Sequence, residues 1–150
     1  MKITETSQSM KPDHCPCGRD KPVKACCGRY LDAGATPELA SKLVPESAED
    51  LMRSRYTAHV LQNIAYLRDT LWPKYQPGFD ALAVAKWAAD NRWLGLEILQ
   101  VEKGGKTDRQ GTVLFEARYL GAGQLHTHRE LSLFRKKAGR WYYLEALPHG

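Results

Sequence analysis

Four cysteines lie within one short stretch near the start of the sequence, CPCGRDKPVKACC, which covers residues 15–27. They are Cys15, Cys17, Cys26 and Cys27, and the chain has no other cysteine. Four thiolates form the complete ligand set of a closed tetrahedral zinc site. The loop between the two pairs is long enough to bring both pairs onto one ion. The spacing therefore predicts one zinc ion held by all four cysteines.

Other uses of the four cysteines stay open at this point. Disulfides conflict with a cytoplasmic location, where thiols are kept reduced. We expect that location because the polar N-terminal stretch lacks the apolar segment of a signal peptide. An iron–sulfur cluster also takes four thiolates, but the adjacent Cys26 and Cys27 are an unusual way to reach two of its corners. An iron–sulfur cluster and a redox-active pair remain as alternatives to zinc.

Glycines and basic residues flank the cysteines. Gly18 and Gly28 each follow a pair and can adopt positive φ, which lets the backbone wrap closely around an ion. Cations near the site offset the charge of four thiolates and favour the ionised form of each thiol. Four basic residues stand close by in sequence: Arg19, Lys21, Lys24 and Arg29. His14 is predicted to be a neighbour of the site rather than a ligand.

The net charge of the chain is +5, and much of it lies near the cysteines. A modest positive charge fits weak contact with nucleic acid or with acidic proteins, although a solvated surface has the same composition. The sequence has no apolar run long enough to cross a membrane, so we expect no membrane partner.

The sequence divides into a cysteine module at 1–30, a linker at 31–46 and a larger domain at 47–150. The linker contains a glycine and two prolines, and we expect at most one short helical turn in it. Ser47 begins a segment that resembles a capping box. Apolar residues then recur every three or four positions as far as Leu71, which predicts helix.

Asn63 is a point where this helix can break in two, and Trp72-Pro73 is predicted to end it. A second amphipathic helix is predicted between Phe79 and Asn91. Its apolar side is expected to contain three residues: Leu82, Ala85 and Ala89.

Four strand-like segments make up the rest of the chain. They cover residues 93–102, 111–120, 124–136 and 140–147, and glycine-containing turns separate them. Strands joined in sequence by short turns form an antiparallel meander. The predicted fold is therefore α+β, with helices packed on one face of a curved four-stranded antiparallel sheet and a small zinc-binding module at the N-terminus.

The cysteine stretch resembles a known motif. Its residues C-P-C-G at 15–18 and K-A-C-C-G at 24–28 are similar to the SEC-C motif. That motif is the small zinc-binding module at the C-terminus of the SecA translocase, where it contacts the chaperone SecB and the ribosome. The resemblance implies zinc as a cofactor and a protein or ribosome-associated partner that docks on the module.

The remainder of the chain resembles the YchJ-like family, bacterial proteins of poorly defined function with an N-terminal SEC-C motif. The landmarks that carry the resemblance are LMRSRY at 51–56, WLGL at 93–96, FEARY at 115–119 and GRWYY at 139–143. The resemblance implies a cone-shaped domain of the type shared by nuclear transport factor 2 and ketosteroid isomerase. Relatives often have histidine where this chain has Arg129, whereas here His128 lies one position earlier. An offset of one residue on a strand points a side chain to the opposite face.

Cone-shaped domains often hold a pocket between the sheet and the helices. The candidate residues for such a pocket are Arg55, Tyr56, Trp93, Glu116, His128, Glu130 and Trp141. Each also has a structural interpretation: Tyr56 and Trp93 are suited to a core. His126 and His128 share a strand face, but no third metal ligand accompanies them.

Arg53 and Arg55 come from the first helix. We expect one of them to reach a buried carboxylate, such as Glu116 or Glu130, in a structural ion pair.

The sequence has no arrangement of residues that is typical of catalysis. It lacks a phosphate-binding glycine loop, a dinucleotide fingerprint and an ordered catalytic triad. We therefore predict a non-catalytic, zinc-containing adaptor that docks on a protein or ribosome-associated partner. One alternative is a small-molecule-binding protein or enzyme that uses the cone pocket. The other is a weak nucleic-acid binder, and a homodimer fits any of the three.

Overall fold

The computed structural model describes residues 14–33 and 43–148. Over these residues the chain is an α+β structure with a four-stranded antiparallel sheet and packed helices. The predicted fold class is confirmed. Most of the segment predicted as a linker lies outside the described residues, and so does the start of the cysteine module.

The cysteine segment is a tight loop followed by short helices. A 3-10 helix spans Val23–Ala25, and helix α1 spans Gly28–Ala33. The backbone N–H of Cys15 donates a 2.7 Å hydrogen bond to the carbonyl of Lys21, which closes the loop between the cysteine pairs. Gly18 has a φ of 99°, as its position predicted. Gly28 does not adopt a positive φ, because it lies in α1. A Cβ added there would stand 2.5 Å from the carbonyl oxygen of Val23.

Three more α-helices follow: α2 (Ala48–Val60), α3 (Ile64–Asp69) and α4 (Ala81–Asp90). Side chains cap the N-terminus of all three. The side-chain oxygens of Ser47, Asn63 and Asp80 each accept a hydrogen bond from the backbone N–H three positions later. The cap at Ser47 and the break at Asn63 are confirmed. A 3-10 helix, Pro73–Gly78, separates α3 from α4.

The predicted apolar side of the last helix was wrong. Leu82 is 85% exposed, and the buried residue of α4 is Ala88. These two positions are roughly 120° apart around a helix. Because α4 packs through the side that contains Ala88, Leu82 faces solvent.

The sheet is a meander of β1 (Arg92–Lys103), β2 (Gln110–Gly121), β3 (Gln124–Lys137) and β4 (Arg140–Leu147). The strands are neighbours in chain order, and every pair is antiparallel. The register shifts twice in β1, after Trp93 and after Ile98, and once between Leu133 and Phe134 of β3. Such irregularities bend a strand, so they help the sheet to curve around the helices.

The core lies between α2 and the inner face of the sheet. Leu51 and Tyr56 of α2 are buried in one cluster with Val113, Phe115 and Phe134 of the sheet. The same cluster contains all four cysteines. The cysteine segment is therefore packed directly on the core of the larger domain. No helix in the described parts of the chain has the length and apolar character that a bilayer span needs.

Candidate functional site

The four cysteine sulfurs lie together. All four cysteines are buried, and their Sγ atoms are within 4.8 Å of one another. The Sγ atoms of Cys17 and Cys26 are 3.7 Å apart. Four sulfurs placed tetrahedrally at 2.3 Å from a zinc ion would be roughly 3.8 Å apart. The cluster therefore has the donor set and the spacing of a tetrahedral metal site.

The sulfurs also affect one another's ionisation. Hydrogen bonds from Cys17 and Cys27 lower the pKa of Cys15. The hydrogen bond to Cys15 raises the pKa of Cys17 to about 11, and hydrogen bonding to Cys15 also raises the pKa of Cys27. One thiolate is thus favoured at the expense of its neighbours. A divalent cation is what would allow all four to be ionised together.

Side chains of helix α2, in the larger domain, make polar contacts with this cluster and with its loop. The hydroxyl of Thr57 is 3.6 Å from the Sγ of Cys15. Arg53 donates from Nη1 to the carbonyl of Cys17 at 2.7 Å and from Nε to Glu49 at 2.9 Å. These contacts fix the loop that contains the first cysteine pair against α2.

The basic residues near the cysteines have different partners. Arg19 pairs with Asp50 at 2.7 Å. Burial alone would lower the pKa of Arg19, but the contact with this carboxylate raises it. Arg29 donates to the carbonyl of Cys26 at 2.9 Å. Both guanidinium groups therefore have bonding partners within the chain. His14 pairs with Asp20 at 2.7 Å and is not part of the sulfur cluster.

A cavity of about 460 Å³ opens between the helices and the inner face of the sheet. Five of the seven candidate pocket residues line it: Arg55, Tyr56, Trp93, His128 and Glu130. Its volume is within the range of small-molecule sites, roughly 300–1,000 Å³. The cavity has a polar end and an aromatic end.

The polar end is organised around Glu130. Its carboxylate accepts hydrogen bonds from His128 Nε2 at 3.0 Å, from Ser132 Oγ at 2.7 Å and from the Tyr143 hydroxyl at 2.7 Å. Burial raises the pKa of Glu130, but the three donors outweigh burial and hold this pKa down to about 2. The hydrogen bond to Glu130 in turn raises the pKa of His128.

Arg55 lies next to this network. Its Nη1 donates to the carbonyl of Leu67 at 2.9 Å and to the hydroxyl of Thr70 at 2.6 Å. Its guanidinium carbon stands 4.8 Å above the centre of the Tyr143 ring. Burial lowers the pKa of Arg55 to about 10, so the side chain remains cationic at neutral pH.

His59 lies one helical turn after Arg55 and also lines the cavity. Its Nδ1 is 2.9 Å from the backbone carbonyl of Arg55. A carbonyl can only accept, so Nδ1 carries the proton and Nε2 is an acceptor in the neutral ring. Burial, together with the charge of Arg55, lowers the pKa of His59 to about 4. His59 is therefore a neutral hydrogen-bond acceptor at pH 7.

The aromatic end is built from Trp87 of α4, Trp93 of β1 and Tyr119 of β2. The ring of Trp87 lies 6.0 Å from that of Trp93 and 5.2 Å from that of Tyr119. Trp93 and Tyr119 are 5.4 Å apart, and the ring of His59 lies 5.5 Å from Trp93. Three aromatic rings from three elements thus form one wall of the cavity.

Two candidate residues lie elsewhere. Glu116 points to the other face of the sheet, where Arg129 Nη1 is 3.4 Å from its carboxylate. Trp141 is buried and donates from Nε1 to the carbonyl of Glu46, away from the cavity. Each of the two residues lies outside the cavity lining that the structure describes.

The predicted arginine–carboxylate pair was wrong. Arg53 pairs with Glu49 of its own helix, and the hydrogen bonds of Arg55 go to a carbonyl and a hydroxyl group. His126 and His128 lie at alternate positions of β3 and share a strand face, as expected, but they have different partners. The ring of His126 stacks on Tyr119 at 5.0 Å, whereas His128 pairs with Glu130. Among the described residues, the only group of metal-ligating side chains that lies together is the four cysteines.

Several cavity residues were missed by sequence reasoning: His59, Trp87, Tyr119, Ser132 and Tyr143. A signal for His59 was present, because it follows Arg55 by four positions and Tyr56 by three and so shares their helix face. Ser132 follows His128 and Glu130 at alternate positions of β3, which places it on the same strand face. The sequence held no such signal for Trp87, because its position in the cavity wall depends on how α4 packs against the sheet.

A curved sheet covered by helices, with a four-cysteine cluster against it, defines a SEC-C motif protein with a domain like nuclear transport factor 2. The chain matches the family described as YchJ, middle NTF2-like domain, over residues 47–146. The chain therefore belongs to the YchJ-like family.

A curated relative and two solved structures agree with this assignment. A UPF0225 protein of Geobacter sulfurreducens is 42% identical over 131 residues, which cover 87% of this chain and 76% of the relative. The solution structure of a SEC-C motif containing protein from Rhodopseudomonas palustris has a TM-score of 0.76 at 34% identity. It matches 91% of this chain and 99% of its own. A crystal structure of a SEC-C motif containing protein from Psychrobacter arcticus has a TM-score of 0.76 at 29% identity. The match covers 91% of this chain and 82% of that one.

Proposed function

We propose that the protein binds one zinc ion through its four cysteines and binds a small organic molecule in the cavity of its NTF2-like domain. The zinc site is structural, because four cysteine ligands leave no open coordination position. The cavity is the site at which the protein recognises another molecule.

The four-sulfur donor set supports zinc. Soft thiolate ligands in a closed tetrahedral arrangement favour zinc over magnesium or calcium. Elemental analysis of protein purified without a metal-chelating tag is expected to give one zinc per chain. Iron with acid-labile sulfide in place of zinc would contradict this assignment.

The observation that carries the ligand-binding role is the cavity itself. It is open, has a volume of about 460 Å³ and combines an aromatic wall with a cation, a carboxylate and two histidines. Apolar surface with a few convergent polar groups is the usual composition of a small-molecule site. The sequence alone favoured an adaptor role because of the SEC-C-like cysteine cluster, the basic charge around it and the lack of a catalytic arrangement. The adaptor role stays a prediction, and no described contact supports it.

The four tryptophans provide the test. Zinc-loaded, ¹⁵N-labelled protein is titrated with a library of small organic molecules, and the four indole N–H signals are followed by NMR. Ligands in the cavity are expected to shift the signals of Trp87 and Trp93, which line it, and to leave Trp72 and Trp141 unchanged. A library that leaves the Trp87 and Trp93 signals unchanged would contradict the proposed function.

A variant that fills the cavity provides the control. Ala117 is buried on β2 and lines the cavity, so Ala117→Phe should abolish the ligand-induced shifts. The matched variant is Ala146→Phe, because Ala146 is exposed on β4. It should bind ligands as the wild type does. Equal binding by both variants would mean that the ligands bind outside the cavity.

A further inference from the structure

Arg55 leaves part of its guanidinium group unused. An arginine has five N–H donors, and only Nη1 of Arg55 has hydrogen-bond partners within the described residues. In the same residues, no buried side-chain nitrogen or oxygen lacks a partner. Nε and Nη2, which have no partner among these residues, are therefore not fully buried, and the open space that Arg55 lines is the cavity.

The charge of Arg55 is also unmatched by a direct ion pair. In the described part of the chain no carboxylate forms a salt bridge with Arg55, which instead stacks on the Tyr143 ring. The carboxylate on this side of the cavity, Glu130, already accepts three hydrogen bonds and is paired with His128. Arg55 is thus a cation of the cavity lining that has no carboxylate partner among the described residues.

Geometry narrows the kind of ligand further. Nε and Nη2 of an arginine lie in one plane and match the two oxygens of a carboxylate. At the other end of the cavity, the rings of Trp93 and Tyr119 offer aromatic surface for a flat apolar group. A ligand suited to both ends has an anionic head and a planar ring.

We infer that the cavity binds a planar aromatic monocarboxylate, with the carboxylate on Nε and Nη2 of Arg55 and the ring against Trp93 and Tyr119. This inference rests on the proposed function, because it names the class of molecule that the cavity takes. A cationic ligand would place a second positive charge beside Arg55. A neutral one would leave the open N–H donors without an anion.

His59 adds a feature to this ligand class. Its Nε2 is an acceptor, lies near the aromatic wall and has no hydrogen-bond partner among the described residues. A ring that bears an N–H or hydroxyl group on the side away from its carboxylate can donate to this nitrogen. Such a ring would bind more tightly than the bare hydrocarbon ring.

The test compares three probes that differ only in the head group: 2-naphthoate, 2-naphthamide and 2-naphthylmethylamine. Each is titrated into zinc-loaded wild-type protein, and NMR follows the indole signals of Trp87 and Trp93 together with the Nε–H signal of Arg55. The carboxylate is expected to move all three signals. It should bind roughly ten- to a hundredfold more tightly than the amide, as for a charge-assisted hydrogen bond.

The outcomes separate the inference from the proposed function. If the amide or the amine binds as tightly as the acid and moves both tryptophan signals, the inference fails while ligand binding in the cavity stands. If none of the three probes moves the tryptophan signals, planar rings are not the ligands and the inference again fails. The proposed function is then judged by the larger library alone.

A pair of variants checks that Arg55 is the group responsible. Arg55→Lys keeps the charge but removes the planar pair of donors, so the preference for the acid over the amide should fall to a few-fold. Arg129→Lys is the matched control on the other face of the sheet and should keep the full preference. An unchanged preference in Arg55→Lys would overturn the assignment. Should Arg55→Lys fail to fold, the comparison of acid and amide in the wild type still decides.

Discussion

The hydroxyl of Thr57 and the sulfur of Cys15 lie 3.6 Å apart, and both residues are buried in the core. This contact joins the cysteine cluster to the helix that also forms one wall of the cavity. The cysteine cluster is thus an integral part of the domain on which it packs. Any change that weakens metal binding by this cluster should therefore also lower the stability of the whole domain.

Replacing Thr57 with valine should weaken the hold on the metal. The change removes the hydroxyl that contacts Cys15 and keeps a similar shape. Loss of a group that supports a metal ligand typically costs roughly ten- to a hundredfold in metal affinity. We expect transfer of zinc to a coloured chelator to be roughly tenfold faster in Thr57→Val. Thr112→Val, on β2, is the control, and equal rates in the two variants would argue against a role for the Thr57 contact.

Arg53→Gln should destabilise the docking of the cysteine loop on α2. The substitution removes the 2.7 Å hydrogen bond to the Cys17 carbonyl and the pair with Glu49, from a side chain that is only 16% exposed. We expect the free energy of unfolding in urea to fall by about 1–2 kcal/mol. The control is Arg68→Gln, whose ion pair with Asp69 is more than half exposed and should contribute less than about 0.5 kcal/mol. A similar loss in both variants would contradict the account.

His59 should make the protein less stable in mild acid. Burial lowers its pKa from 6.5 to about 4, so between these values the unfolded chain binds a proton that the folded chain does not. Stability is therefore full above pH 6.5 and falls by up to about 3 kcal/mol as the pH drops to 4. Urea unfolding across this range measures the slope, which His59→Gln should largely remove.

The pKa of His128 is shifted in the opposite direction, so this residue provides the control for that experiment. The hydrogen bond to Glu130 raises its pKa, so its contribution is present below pH 6.5 and is lost as the pH rises through the raised value. His128→Gln should therefore leave the slope between pH 4 and 6.5 intact. If His128→Gln removes that slope and His59→Gln does not, the assignment of the two histidines is wrong.

The predicted docking role needs a test that does not disturb the core. Cysteine variants would alter the fold, because all four cysteines are buried in it. Lys21 and Lys24 are exposed on the cysteine segment and pair with no acid among the described residues. If the module docks on a partner, the double variant Lys21→Glu and Lys24→Glu should lose that partner in capture from lysate. The matched control is Lys74→Glu with Lys103→Glu, and identical partner lists for both proteins would count against docking through this surface.

Local patterns predicted much of the fold. The cap at Ser47, the break at Asn63 and the meander follow from side chains and turns that are close in sequence. The cysteine cluster was also predictable, because its ligands lie in one short loop. The exposed position of Leu82 was not, since it depends on which side of α4 meets the rest of the domain.

The cavity was harder to predict for the same reason. Its residues come from α2, α4 and all four strands, so their meeting depends on the curvature of the sheet. Sequence reasoning also expected either Arg53 or Arg55 to pair with a buried carboxylate of the sheet, such as Glu116 or Glu130, and neither does. Instead a backbone carbonyl and a hydroxyl satisfy one nitrogen of Arg55, and Tyr143 stands between Arg55 and Glu130.

The most direct test of the account is an experimental structure of the zinc-loaded protein with the tightest ligand from the titrations. We expect the ligand to lie in the cavity, between Arg55 and the wall formed by Trp93 and Tyr119. A ligand bound outside this cavity, for example in the groove beside Cys15 and Arg118, would contradict it.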